Sequence, residues 1–212
     1  MKKTILLTIA LTAILALVLS IGVFATEEAT TAPADDTTVG AIETEDNQPG
    51  LLSMIFNGGS LAILGAAVAV GLAGIGSAKG VGMVGEATSG LLTENPNAFG
   101  KAFVLMALPM TQGIYGLVIA FLIVLRVGLF AEGIDAFVNL PIEKGAYYLM
   151  SALPIGCVGL VSALKQARVS ASGINLLAKR PDQVMKAVTS AALVETYAIF
   201  ALLISVLLVL MG

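Results

Sequence analysis

From residue 51 onward, long apolar runs alternate with short polar connections. The four apolar runs cover roughly 53 to 92, 97 to 129, 143 to 178 and 182 to 211. They are separated by Glu94-Asn95-Pro96-Asn97, by the segment from Glu132 to Glu143 and by Lys179-Arg180-Pro181-Asp182. As a helix, each run is long enough to cross the ~30 Å hydrocarbon core of a bilayer. The pattern predicts an all-α membrane protein with four transmembrane helices.

A separate apolar stretch, from Ile5 to Phe24, follows two lysines at the N-terminus. Val23-Phe24-Ala25 offers small residues at the positions that a signal peptidase reads, which predicts a cleaved signal peptide over residues 1–25. The stretch is longer than a usual signal core, so an uncleaved signal-anchor helix is the alternative. Under both interpretations residues 26–50 are exported.

The segment 26–50 differs in composition from everything after it. Seven acids and no basic residue lie between positions 26 and 48, and Gln48-Pro49-Gly50 ends the segment. Its hydrophobicity is too low for independent folding. We therefore expect an acidic, disordered tether.

Overall composition supports a membrane protein and excludes several kinds of site. Hydrophobic residues make up 58% of the 212 residues, charged residues 12%, and mean hydropathy is +0.98. There is no histidine and Cys157 is the one cysteine, which excludes an intrachain disulfide and any histidine-based metal site or general base. Basic residues cluster at the ends of apolar runs, so no nucleic-acid partner is expected.

The distribution of basic residues predicts the orientation in the membrane. Lys79, Lys101, Lys165, Arg168, Lys179, Arg180 and Lys186 flank the first and third connections, whereas Arg126 and Lys144 flank the second. Positive residues favour the cytoplasmic side. The loops near 94 and 180 are therefore expected in the cytoplasm, with residues 26–50 and the C-terminus outside a multi-pass plasma-membrane protein.

An internal repeat relates the two halves. A constant shift of 85 residues places Gly71 on Gly156, Ser77 on Ser162, Pro96 on Pro181, Lys101 on Lys186 and Thr111 on Thr196. The chain is thus predicted to contain two tandem hairpins, 51–130 and 131–212. Because both hairpins begin outside, they form parallel repeats about an axis along the membrane normal.

Small residues are concentrated in the first and third runs. These are Gly65, Gly71, Gly74, Gly76, Gly80, Gly82, Gly85 and Gly90 in the first run, and Gly156, Gly159, Ala163, Ala167 and Gly173 in the third. They indicate either ordinary helix packing or an inner layer of crowded helices with the second and fourth helices outside. Gly80 to Gly85 also matches GxGxxG, but no strand precedes it, and the chain has no P-loop. We expect no nucleotide site and no ATP hydrolysis by this chain.

One acid, Glu195, lies inside the fourth run, near the middle of the bilayer. An unpaired carboxylate there costs at least a few kcal/mol. A protonated glutamate that simply bonds a neighbouring helix is one explanation. The repeat mate of Glu195 is Met110, however, so only one half carries the acid, which favours a functional role.

Uncharged oxygens accompany this acid in the sequence. Leu108 to Gly116, "LPMTQGIYG", supplies Thr111, Gln112 and Tyr115 within about one turn, and Pro109 leaves an upstream carbonyl free. Gln166 in the third run lies at a similar depth. One negative charge with several neutral oxygens suits a monovalent hard cation, so sodium is predicted, with a bare proton as the alternative.

The motifs "LPMTQGIYG" and "ALVETYAIF" (192–200), joined by the 85-residue repeat, resemble the duplicated four-helix proteolipid of V-type rotary ATPases. This proteolipid, designated K or c, is most similar here to the bacterial sodium-translocating kind, over about residues 55 to 212. The resemblance implies that Glu195 is the ion-binding carboxylate and that Tyr115 hydrogen-bonds it. It implies a sodium shell completed by the Leu108 carbonyl, Thr111, Gln112 and Gln166. Two features depart from the family pattern. Met110 stands where the family often has a small residue, and the acidic tether is absent from short-tailed members.

The resemblance also implies an assembly. Identical copies form a rotor ring whose second and fourth helices face lipid. A stator membrane subunit with a basic residue and the central stalk of a soluble ATPase sector are the other partners, and this chain is a non-catalytic, ion-translocating part. The same ring carrying H⁺ is the nearest alternative, followed by a channel or secondary transporter and by a purely structural proteolipid.

Overall fold

The structure is a computed structural model that describes residues 57–131 and 133–212. Every regular element in these ranges is helical. Six α-helices follow one another: α1 (Gly58–Glu94), α2 (Phe99–Ala107), α3 (Thr111–Arg126), α4 (Ile134–Val138), α5 (Ile142–Lys179) and α6 (Val184–Met211). Three 3₁₀ turns join them: Pro96–Ala98, Leu108–Met110 and Pro181–Gln183. The predicted signal peptide, the acidic tether and the start of the first run, up to residue 56, lie outside the described residues.

Four helical segments are long and apolar enough to cross a membrane: Gly58–Glu94, Pro96–Arg126, Ile142–Lys179 and Pro181–Met211. The predicted four-helix membrane fold is confirmed. The second segment ends at Arg126, earlier than the predicted limit of 129. Gly128 adopts φ 80°, a left-handed conformation that glycine tolerates, and this turns the chain out of the helix.

The backbone repeats as closely as the sequence does. The turns Pro96–Ala98 and Pro181–Gln183 are 85 residues apart and each begins with proline, whose fixed φ suits the first position of a helical turn. The residues before them, Asn95 and Arg180, have φ/ψ of −138°/83° and −141°/78°. Each half is thus a long helix, the same turn and a returning helix.

The long helices α1 and α5 pack closely at glycines, as the small residues predicted. A Cβ added to Gly65 would lie 2.8 Å from the Leu149 Cα, and one added to Gly76 would lie 2.8 Å from the Leu160 Cα. Elsewhere in α1, Gly71, Gly74, Gly82 and Gly90 have nothing within 4 Å of an added Cβ in the described part of the chain. The Cβ positions of these four glycines therefore point away from the other described helices.

The second and fourth segments carry the outward apolar surface. In their most apolar 18-residue stretches, 33% and 22% of residues are buried, against 44% and 56% for α1 and α5. Large exposed side chains such as Leu117, Phe121, Phe200 and Leu203 project from α3 and α6. A surface of this composition fits lipid.

The close contact at Gly76 gives a test of this packing. Gly76→Ala should destabilise the protein by about 1–3 kcal/mol, because the methyl group meets the backbone of α5, which cannot rotate away. Gly90→Ala is the matched control, since the open space around Gly90 should leave only the gain in helix propensity. Thermal unfolding in detergent measures the stability of both variants. A change in melting temperature of equal sign and size in the two would contradict the close packing of α1 on α5 at Gly76.

Candidate ion-binding site

The site begins at the turn Leu108–Met110, which separates α2 from α3. Pro109 has no backbone N–H and cannot continue the α-helical bonding pattern. Within the turn, the Leu108 carbonyl accepts hydrogen bonds from the Thr111 backbone N–H and from the Thr111 hydroxyl, the latter at 3.0 Å. The break in the helix thus brings a carbonyl oxygen and a hydroxyl oxygen to one point.

Helix α1 supports this turn from behind. The Gly113 N–H donates to the Ser77 Oγ at 2.7 Å, and the Ser77 hydroxyl faces the Met110 carbonyl at 3.4 Å. A Cβ on Gly80 would lie 2.9 Å from the Cβ of Pro109, so the turn rests directly on α1. Sequence reasoning did not find the role of Ser77, because its mate Ser162 looks identical in the sequence.

Two glutamines form the buried centre of the site. Gln112 on α3 and Gln166 on α5 are both 0% exposed, and the Gln112 Nε2 donates to the Gln166 Oε1 at 2.5 Å. The Thr111 hydroxyl lies 3.4 Å from the Gln112 Oε1. An amide oxygen has two lone pairs, so each of these oxygens keeps one for a further partner.

Glu195 on α6 completes the group. Its Oε1 accepts a hydrogen bond from the Tyr115 hydroxyl at 2.6 Å, and its Oε2 accepts one from the Gln166 Nε2 at 3.4 Å. Donors from α3 and α5 therefore hold both carboxylate oxygens. The carboxylate is half-buried, beside the outward apolar surface.

The structure brings every site residue proposed from the sequence into one continuous hydrogen-bonded group: Leu108, Thr111, Gln112, Tyr115, Gln166 and Glu195. Three helices and one turn contribute to it. No cluster of three or more His, Cys, Asp or Glu side chains suited to a metal occurs in the described ranges. The group can thus offer one negative charge and several neutral oxygens.

Comparison with known proteins agrees with this architecture. The family of ATP synthase C subunits matches residues 64–123 and 149–208, two segments that begin 85 residues apart. The chain belongs to this family. It contains the family domain twice, so the prediction of a duplicated proteolipid of the rotor-ring type is confirmed.

Two relatives match most of the chain. It is 47% identical over 155 residues to the V-type sodium ATPase subunit K of Enterococcus hirae, an alignment covering 73% of this chain and 94% of the relative. It is 38% identical over 148 residues to the A-type ATP synthase subunit K of Methanocaldococcus jannaschii, covering 70% of this chain and 61% of that relative. The protein is accordingly a multi-pass membrane proteolipid that takes part in ion translocation.

The bond from Gly113 to Ser77 predicts a measurable stability difference between the halves. Ser77→Ala should cost about 1 kcal/mol, because the part-buried Gly113 N–H loses its bond to the Ser77 Oγ. Ser162→Ala, the repeat mate, should cost less, since its hydroxyl only bonds the Gly159 carbonyl of its own helix at 3.3 Å. Thermal unfolding of the two variants measures their stabilities. Equal losses of stability would mean that Ser77 does not support the turn.

Proposed function

We propose that the protein binds Na⁺ at Glu195 and moves it across the plasma membrane as the rotor ring of an ATP-driven pump turns. The observation that carries this proposal is the hydrogen-bonded group itself, in which one carboxylate lies among uncharged oxygens on three helices. In this proposal the Glu195 carboxylate, the Thr111 hydroxyl, the Leu108 carbonyl and the amide oxygens of Gln112 and Gln166 contact the ion. Tyr115 holds the carboxylate in place.

The charge of the group selects the class of ion. A single carboxylate balances one positive charge, whereas a divalent cation would normally recruit further carboxylates. All the other oxygens are neutral carbonyl, hydroxyl or amide oxygens, which are hard ligands suited to an alkali cation. The name of the 47% identical relative, which belongs to a sodium ATPase, supports the same choice.

The arrangement explains how a charge could move through lipid. Glu195 is half-buried on an outer helix, so a bare carboxylate would meet hydrocarbon as the ring turns, at a cost of at least a few kcal/mol. Bound sodium cancels that charge. In our proposal the carboxylate loses its ion only opposite a basic residue of a stator subunit, where water reaches it.

We propose the orientation that the basic residues favour. The turns at Pro96–Ala98 and Pro181–Gln183 then face the cytoplasm, where the central stalk of a soluble ATPase sector would meet the ring. Residues 26–50 and the C-terminus lie outside. Six of the seven basic residues counted for this side lie in described helices that lead to or from these turns, and the remaining one, Arg180, immediately precedes a turn.

A proton is the second candidate cargo, favoured by one specific contact. The 2.6 Å bond from Tyr115 to Glu195 would also hold a protonated glutamate. The two fully buried amide oxygens of Gln112 and Gln166 favour sodium, because a metal ion takes several oxygen ligands whereas a proton on Glu195 needs only one acceptor.

Carbodiimide labelling of Glu195 separates the two cargoes. In membranes containing the intact ATPase, millimolar sodium at fixed pH should slow the reaction of Glu195 with a hydrophobic carbodiimide, because the bound ion shields the carboxylate. Mass spectrometry of the labelled protein measures the rate, and Glu195→Gln gives the background. Labelling that responds to pH and not to sodium would overturn the sodium proposal.

The ligand role of Thr111 can be tested with its own repeat mate. Thr111→Ala should raise the sodium concentration needed for half-protection by about tenfold, equivalent to ~1.4 kcal/mol, because the site loses one oxygen. Thr196→Ala is the matched control, since that hydroxyl bonds only the Leu193 carbonyl, at 2.8 Å. Equal changes in the two variants would exclude Thr111 as a ligand.

A further inference from the structure

Helix α5 carries a positive charge at the depth of the candidate site. Lys165 immediately precedes Gln166, whose amide donates to the Glu195 Oε2 at 3.4 Å, so the lysine begins within one helical residue of that level. Its side chain is exposed, and no hydrogen bond or ion pair joins it to any residue that the structure describes. A charge at this depth in a spanning helix is costly alone and usually pairs with another charge.

A groove between α5 and α6 connects this lysine with the surroundings of the acid. The groove has a volume of about 440 Å³ and is lined by Lys165 from α5 and by Val194 and Tyr197 from α6. Val194 directly precedes Glu195, and Tyr197 follows it by two residues. Lys165 is the one charged residue among the described side chains that line the groove, and Arg168, one turn further along α5, is not among them.

The internal repeat supports the closeness of Lys165 to Val194. Their mates in the first half are Gly80 and Pro109, and a Cβ added to Gly80 would lie 2.9 Å from the Pro109 Cβ. Because both halves consist of a long helix, the same turn and a returning helix, we expect the Cβ atoms of Lys165 and Val194 to lie close together as well. The flexible four-carbon stem of lysine can then carry its ammonium group along the groove towards the next residue, Glu195.

We propose that the Lys165 ammonium pairs with the ion-free Glu195 carboxylate across this groove, and that the entering sodium ion displaces it. Both donors that hold the carboxylate in the structure, Tyr115 and Gln166, are uncharged, so the acid has no cationic partner among them. The proposal rests on the proposed sodium site. It deepens that proposal by naming the residue that sets the affinity of the site for its ion.

A tethered cation of this kind acts as a competitor of sodium. While the ammonium is paired with Glu195, the carboxylate is not free to bind the ion, so the apparent affinity falls in proportion to the fraction of unpaired sites. Loss of Lys165 should therefore strengthen sodium binding, whereas loss of a ligand such as Thr111 should weaken it. The opposite sign distinguishes a competitor from a ligand.

Sodium protection of Glu195 tests this competition. In membranes containing the intact ATPase, Lys165→Met should lower the sodium concentration that half-protects Glu195 from a hydrophobic carbodiimide by about tenfold at fixed pH. Lys165→Arg keeps the charge and should retain the higher requirement. Lys79→Met is the matched control, since Lys79 is an exposed cation of α1 and the mate of Leu164, the residue before Lys165.

Two outcomes of this measurement have different meanings. Unchanged half-protection in Lys165→Met, or an equal decrease in Lys79→Met, would overturn the competition. Absence of sodium protection in the unmutated ATPase would instead overturn the sodium site on which the inference rests.

Covalent capture tests the contact itself. A carbodiimide converts the Glu195 carboxyl group into an acylisourea. An amine within reach attacks its carbonyl carbon, an amide bond to the Lys165 Nζ forms and the urea leaves, so the two peptides are joined with the net loss of one water. Mass spectrometry of the digested protein should detect this cross-link in sodium-free buffer and show its suppression by sodium.

The control for this capture is Lys165→Arg, which should give only the ordinary carbodiimide adduct of Glu195, because the guanidinium stays protonated and is not a nucleophile. An ordinary adduct without any cross-link in the sodium-free, unmutated protein would show that the lysine does not reach the carboxylate. That result would overturn the pairing and leave the sodium site itself untouched.

Discussion

The free energy of a carboxylate in hydrocarbon is the constraint on which the rest of this protein depends. Glu195 lies inside a spanning helix and beside the lipid-facing surface. A charge there is tolerable only if other helices supply donors and a counter-ion. Tyr115 and Gln166 supply the donors from two different helices. The fold can therefore be understood as a way to hold α3, α5 and α6 together at one depth.

The two halves share a backbone but differ in chemistry. Pro109 and Met110 in one half correspond to Val194 and Glu195 in the other, so only the first half has a broken helix and only the second has the acid. The oxygen-rich turn and the carboxylate consequently meet once per copy. A ring with one acid per four helices carries half as many ions per turn as one with an acid in each hairpin. Because each charge crossing 100 mV costs about 2.3 kcal/mol, such a ring can work against a steeper gradient for the same energy input.

Sequence patterns predicted those parts of the structure that depend on local properties. Apolar length predicted the four spans, and the 85-residue repeat predicted the hairpins. Glu195 with nearby amides and hydroxyls indicated a shared site, and the family resemblance added the Leu108 carbonyl and the bond from Tyr115 to Glu195. The contact of Ser77 with Gly113, and the division of the α1 glycines into packed and open sets, were not predictable. Both depend on how far each helix is rotated about its own axis against its neighbours, which the apolar composition of a membrane helix leaves almost undetermined.

Helix α1 provides none of the six residues of the candidate site, yet it contacts the turn on which that site depends. Through Ser77 and Gly80 it supports the turn that orients Leu108 and Thr111. At Gly71 and Gly74 an added Cβ would meet nothing within 4 Å, so α1 is not covered there by the rest of the described chain. Because helices packed at glycine backbones cannot shift without collision, a displacement of α1 would reach the turn directly. The geometry of the candidate site therefore depends on the position of one glycine-rich helix that supplies none of its six residues.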